Sequence, residues 1–156
     1  IYKRAYGALK KSSRSKQDLR TYAYLIGYHQ FFHLKQNKNA RIWLLRSDGG
    51  GSSTQELQSV YWVAKLDQLA KRQDLALKRL KELSGRKISK NSAIYVQIHF
   101  ELGTLYHLKE NWDLALRHYR FVDKASAPEE FKKIQIVAEK NANEISDYLK
   151  SINATQ

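Results

Sequence analysis

The sequence predicts an all-α fold, an array of stacked helical hairpins closed by a C-terminal capping helix. Self-similarity is the first reason. Asp74-Leu75-Ala76-Leu77-Lys78-Arg79-Leu80 is echoed by Asp113-Leu114-Ala115-Leu116-Arg117-His118-Tyr119, with Ala76 and Ala115 39 residues apart. Thirty-six residues before Ala76 stands Ala40, and 35 before that stands Ala5. Recurrence of this length marks stacked supersecondary units. Composition is the second reason. One proline is present, and leucine and alanine are set among Lys, Gln, Glu and Arg, a mixture that favours helix. Hydrophobic residues make up 42% of the chain, with ten Tyr, five Phe and three Trp, which argues against disorder. A chain of 156 residues suits one domain, 1–156.

Each element has its own justification. Residues 1–16 read as the second helix of an incomplete preceding unit around Ala5, closed by Ser12-Ser13-Arg14-Ser15. Residues 17–47 form the first complete unit, with Gly27 in its first helix and a turn at Gln36-Asn37-Lys38. The run Gly49-Gly50-Gly51-Ser52-Ser53 has linker composition. The interval from Ala40 to Ala76 is barely longer than a standard unit, so the run serves as a turn between repeats. An engineered replacement for a deleted loop would look the same. Residues 55–84 form the second unit, turning near Lys71-Arg72-Gln73, and Ser84-Gly85 supplies the glycine expected past a helix end.

Residues 92–123 form the third unit. Its first helix, over 95–109, carries Ile98, Leu102, Leu105 and Tyr106 near helical spacing. Glu110-Asn111 makes the turn and 112–122 the second helix. Ala115 sits where two helices approach closely, and Gly103 serves the same purpose. A glycine inside a helix costs about 1 kcal/mol relative to alanine and so usually has a packing reason. Residues 126–151 read as the capping helix. Ser126-Ala127-Pro128-Glu129 is a capping box, and the helix is expected to bury Phe131, Ile134, Val137, Ile145 and Leu149. From Ile152 onward fraying is expected.

Several classes of function are disfavoured. Cysteine is absent, which removes disulfides and thiolate metal sites. No apolar run approaches a membrane span and no secretory signal is visible. The chain starts at Ile1, as a processed product or an excised domain would. There is no nucleophile elbow and no phosphate-binding glycine loop, so no enzyme, cofactor or metal is expected. His29 and His33 have the spacing of a two-histidine metal site, but Gln30-Phe31-Phe32 lies between them, without the glutamate of a zinc protease. They read as structural, and His99, His107 and His118 read as helix-surface or packing residues.

The net charge of +13 is uneven. Residues 1–50 carry 11 basic and 2 acidic residues, 51–100 carry 9 and 4, and 101–156 carry 8 and 9. A basic face at Lys3, Arg4, Lys10, Lys11, Arg14 and Lys16 would steer an acidic partner. With Lys71-Arg72, Arg86-Lys87 and the interleaved aromatics, it also suits a basic nucleic-acid-binding module, although no dedicated nucleic-acid fold signature accompanies it.

The units resemble the tetratricopeptide repeat, helical hairpins of about 34 residues marked by Leu-Gly, Tyr, Ala, an aromatic and Pro. The third unit carries Leu102-Gly103, Tyr106, Trp112, Ala115 and Tyr119, with Pro128 one place beyond its expected site. The second has Val63-Ala64 for Leu-Gly, Asp67 for Tyr, and keeps Ala76 and Leu80. The first keeps Ile26-Gly27, has Gln30 for Tyr, and displaces Ala40 by one residue.

The resemblance implies a right-handed superhelix whose first helices line a concave groove. By register, that groove takes Tyr24, Leu25, Tyr28, Phe31 and Phe32, then Gln58, Tyr61, Trp62 and Lys65, then Gln97, Phe100, Glu101 and Thr104. Such a surface implies a non-enzymatic adaptor or scaffold that binds another protein's acidic or amphipathic peptide or helix. Some members clamp a chaperone's C-terminal carboxylate with Lys, Asn and Arg. Here those positions hold Tyr24, Tyr28, Trp62, Gln97 and Glu101, so the clamp is missing. By analogy with the family, the setting is a bacterial envelope, secretion or motility assembly, with the envelope or periplasm favoured over the cytoplasm. Oligomeric state stays open.

Overall fold

The computed structural model describes residues 2–11, 16–126 and 128–154, and among them every regular element is helical. The chain divides into two compact units, Ile1–Arg79 and Leu80–Gln156. The first holds α1 (Tyr2–Lys11), α2 (Lys16–Phe32), α3 (Asn37–Ser47), α4 (Thr54–Leu69) and the start of α5 (Gln73–Ser84). The second holds the rest of α5, then α6 (Ala93–Leu108), α7 (Trp112–Asp123), a 3-10 turn (Glu129–Phe131) and α8 (Lys132–Asn153). Among the described residues, no helix is long and apolar enough to cross a membrane.

The hairpins α2–α3, α4–α5 and α6–α7 turn in the same way. Each reverses through one left-handed residue: Lys35 (φ 53°), Lys71 (φ 59°) and Glu110 (φ 56°). Each of these precedes a fully buried alanine by five residues: Ala40, Ala76 and Ala115. The next amide donates back to the first helix: Gln36 to the Gln30 carbonyl (2.9 Å), Arg72 to Asp67 (2.8 Å) and Asn111 to Tyr106 (2.9 Å). A left-handed side-chain-bearing residue costs roughly 1–2 kcal/mol, so its presence in all three turns reflects what the reversal demands.

The first turn departs from the other two. It closes over six residues rather than five, and the Leu34 amide reaches the His29 carbonyl at 3.2 Å. That extra residue accounts for the displaced Ala40. It also corrects the turn expected at Gln36-Asn37-Lys38: the reversal occupies 33–36, and Asn37 and Lys38 already open α3.

Small residues let the paired helices touch. A Cβ on Gly27 would lie 2.7 Å from Leu44 Cγ, and one on Gly103 would lie 2.8 Å from the Tyr119 ring. Leu44 and Tyr119 each follow the buried alanine by four residues. In the first unit Ala40, Leu44, Val63 and Leu66 form a core against which Tyr24, Phe31, Leu45 and Trp62 pack. The buried Ser47 and Ser59 hydroxyls meet at 2.6 Å between α3 and α4. Tyr6 of α1 sets its ring edge-on to Trp43 at 4.9 Å. Ser12, Ser13, Arg14 and Ser15, expected to close this first helix, lie outside the described residues.

The glycine run is a fitted turn between α3 and α4. A Cβ on Gly49 would press on the Arg20 guanidinium and one on Gly51 on the Glu56 carboxylate, each the far end of a flexible side chain, while Gly50 has φ +78°. Glu56 is buried behind this turn. The Ser53 hydroxyl donates to it at 2.6 Å and the Arg20 guanidinium lies 3.5 Å away. The Ser53 hydroxyl, the backbone amides of Ser53 and Gly51, and Arg20 together hold its carboxyl below the usual carboxylate range, against the opposing effect of burial.

In the second unit α7 packs on α6 and α8. α8 buries Ala138, Ala142 and Ile145, a helical stripe of mostly small residues. Val137 is exposed, contrary to expectation, because the stripe runs through the residue beside it. Phe131, Ile134 and Leu149 are half-buried. The expected capping box is also corrected. Pro128 caps the 3-10 turn without any side-chain bond, and α8 begins only at Lys132; Ala127 lies outside the described residues. Gln135 supplies a different link. Its Nε2 donates to the Val122 and Ala125 carbonyls at 3.0 and 2.7 Å, tying α8 to the end of α7 and the residues just past it.

Candidate functional site

Helical spacing of four residues brings Tyr24, Tyr28 and Phe32 onto one face of α2. Their rings follow one another at 5.9 and 4.4 Å, and Phe32 meets Trp62 of α4 edge-on at 4.8 Å. Phe31 lies 5.6 Å from the same indole. The Tyr24 hydroxyl donates to Gln58 Oε1 at 2.8 Å, tying the helices together, and burial followed by the nearby Tyr28 raises its pKa. Tyr28 is 38% exposed, while Tyr24, Phe32, Trp62 and Lys65 are half-buried. The structure thus brings these rings together on α2 and α4. Tyr61 is the correction: at 6% exposure, with its ring 5.1 Å from Trp62, it belongs to the core.

Phe100, Glu101 and Thr104 stand on α6 in the second unit, all half-buried. The Phe100 ring packs 6.0 Å from Tyr119, and the Thr104 hydroxyl donates to the Phe100 carbonyl at 3.0 Å. Of the basic face, Lys3, Arg4, Lys10 and Lys16 are exposed. Lys11 is the last residue of α1, and Arg14 lies outside the described residues.

One cluster escaped sequence reasoning. The fully buried carboxylate of Asp67 accepts from Arg41 Nε and Arg79 Nε, both at 2.8 Å, with Arg72 Nη2 at 3.2 Å. Charge-assisted bonds to guanidinium groups offset the desolvation of a buried carboxylate. The only signal in the sequence was an acid at a register position that favours tyrosine.

A second buried polar pair lies between α6 and α7, where His99 and His118 bring their Nδ1 atoms to 2.9 Å. Burial lowers both pKa values to about 4, helped by the neighbouring His118 for His99 and by Arg117 for His118. Both rings are therefore neutral near pH 7, one nitrogen donating and the other accepting. Tyr106 stacks on His118 at 5.5 Å and 6°, and Tyr95 sits edge-on to His99 at 4.3 Å. His99 is thus a buried pairing residue rather than a surface one. His29 and His33 are exposed with rings 5.0 Å apart, and among the described residues no group of three potential ligands could hold a metal ion.

Comparison with known proteins finds no family model, curated protein or solved structure that matches this chain.

Proposed function

We propose that the chain is a non-enzymatic scaffold or adaptor that holds a partner protein's peptide or helix against the aromatic strip Tyr24, Tyr28, Phe32 and Trp62. The observation that carries this reading is the ladder of partly exposed rings on two adjacent helices, ending at Trp62. Aromatic anchors of this kind dominate the energetics of protein interfaces. Lys65, one helical turn beyond Trp62, adds a cation beside them. The resemblance to the tetratricopeptide repeat supports the same reading, and by that analogy the setting is a bacterial envelope, secretion or motility assembly.

A pull-down with the full chain, followed by identification of the captured protein, tests it. Trp62→Ala should weaken capture by more than about 1 kcal/mol. Tyr61→Ala, a core truncation, should instead lower thermal stability. Undiminished capture by Trp62→Ala would remove the strip from the interface.

The exposed cations Lys3, Arg4, Lys10 and Lys16 favour a second reading as a nucleic-acid-binding module. Titration with single- and double-stranded oligonucleotides at two salt concentrations separates the two. Tight binding with a steep salt dependence would favour the module.

A further inference from the structure

The Asp67 cluster has cations to spare. One carboxylate holds three guanidinium groups, and Arg72 is its least buried partner, with half of its side chain exposed. Within the first unit, between the start of α3 and the end of α4, lies a cleft of about 620 Å³. Lys38, Arg41 and Arg72 supply its charge, and Ile42, Leu66 and Leu69 supply an apolar wall. None of the described residues lining it is acidic. Leu69 is 63% exposed and Ile42 47%, so apolar surface faces solvent directly beside the cations. The volume falls within the range of ligand sites, roughly 300–1,000 Å³.

We propose that this cleft is a second binding site, which takes an acidic amphipathic segment of a partner protein. An apolar side chain of the ligand sits against Ile42, Leu66 and Leu69. The flanking carboxylates meet Arg72 and Lys38, where a planar guanidinium can engage a carboxylate through two bonds. A nucleic acid would satisfy the cations and leave the aliphatic wall uncovered, and no ring among the lining residues could stack a base. The site goes beyond the aromatic strip, with which it shares no residue.

The test is fluorescence anisotropy of the full chain with a labelled peptide of alternating glutamate and leucine. Saturable binding is expected, at least tenfold weaker when glutamine replaces every glutamate. Combined Lys38→Glu and Arg72→Glu should weaken it at least tenfold, and Leu69→Ser about threefold. Leu69 is exposed, so that variant reports even if the charge reversals disturb the Asp67 cluster, which circular dichroism would reveal. Tyr28→Ala and Trp62→Ala should leave peptide affinity within twofold of the parent, which keeps this site's failure distinct from the strip's. Absent binding, affinity unmoved by Leu69→Ser and the charge reversals, or loss confined to the strip variants would each overturn the proposal. So would a single-stranded oligonucleotide that binds more tightly than the peptide and is lost on Arg72→Glu.

Discussion

The α4–α5 and α6–α7 hairpins share a backbone turn and differ in the pair of side chains beneath it. The residue whose carbonyl receives the returning amide is Asp67 in one and Tyr106 in the other. Its partner stands three residues past the buried alanine, Arg79 in one and His118 in the other. The first pair is an ion pair at 2.8 Å and the second a parallel stack of rings at 5.5 Å. One backbone slot thus accepts charge or aromatic surface, provided the facing helix completes it. The α2–α3 hairpin shows the incomplete case. Gln30 occupies the slot, while Trp43, at the partner position, packs against Tyr6, and Gln30 Oε1 is buried without a partner.

Removing the charge should break the comparison most forcefully. Asp67→Ala leaves Arg41 and Arg79 without their carboxylate and should cost about 3–5 kcal/mol in urea denaturation. A loss below about 1 kcal/mol would mean that water reaches the cluster. The aromatic hairpin should instead reveal itself through pH. The native pKa values of His99 and His118, about 4, lie below the unfolded value of 6.5. As pH falls from 6.5 toward 4, the unfolded chain takes up protons that the folded chain refuses. Stability contributed by the neutral pair is complete above pH 6.5 and drains away across that window, by roughly 3 kcal/mol for each ring. Denaturation midpoints measured from pH 7 to 4 should drop accordingly, and the slope should flatten in His99→Phe.

Smaller effects sharpen the likeness between the hairpins. Gly103→Ala puts a methyl against the Tyr119 ring and should cost about 1–3 kcal/mol by overpacking. An unchanged melting temperature would mean that the helices separate freely. Glu110→Gly should gain about 0.5 kcal/mol, since relief of the left-handed cost exceeds the entropy that glycine adds to the unfolded chain. If Glu110→Gly destabilised the protein, the turn would be relying on the glutamate side chain.

Local rules made the hairpins legible. Ile98, Leu102, Leu105 and Tyr106 repeat at helical spacing, and the structure places α6 and α7 within two residues of the expected bounds. The recurring alanine and glycine announced close helix approach because no larger residue fits there. Reading was poorer where one residue changes the geometry. The insertion before Ala40 shifted a turn, and a one-residue error on α8 exchanged exposed Val137 for buried Ala138. Exposure along the aromatic strip follows from the rotation of α4, so Tyr61 and Trp62, adjacent in sequence, fell on different sides of the surface. The Asp67 cluster was illegible for a different reason. Arg41 and Arg79 stand 26 and 12 residues from Asp67, and which of many arginines will meet a lone acid depends on packing that periodicity does not encode.

That same cluster bears on how such a chain could be shortened or grown. Each turn is self-contained, its hydrogen bonds spanning only a few residues, which would suit gain or loss of single hairpins. Arg41, however, belongs to the α2–α3 hairpin and Asp67 to the next. Excising α4–α5 would leave Arg41 without its carboxylate, and excising α2–α3 would take from Asp67 one of its three guanidinium partners. The smallest segment that can be inherited, transplanted or truncated with this cluster whole contains both hairpins, from α2 through the end of α5.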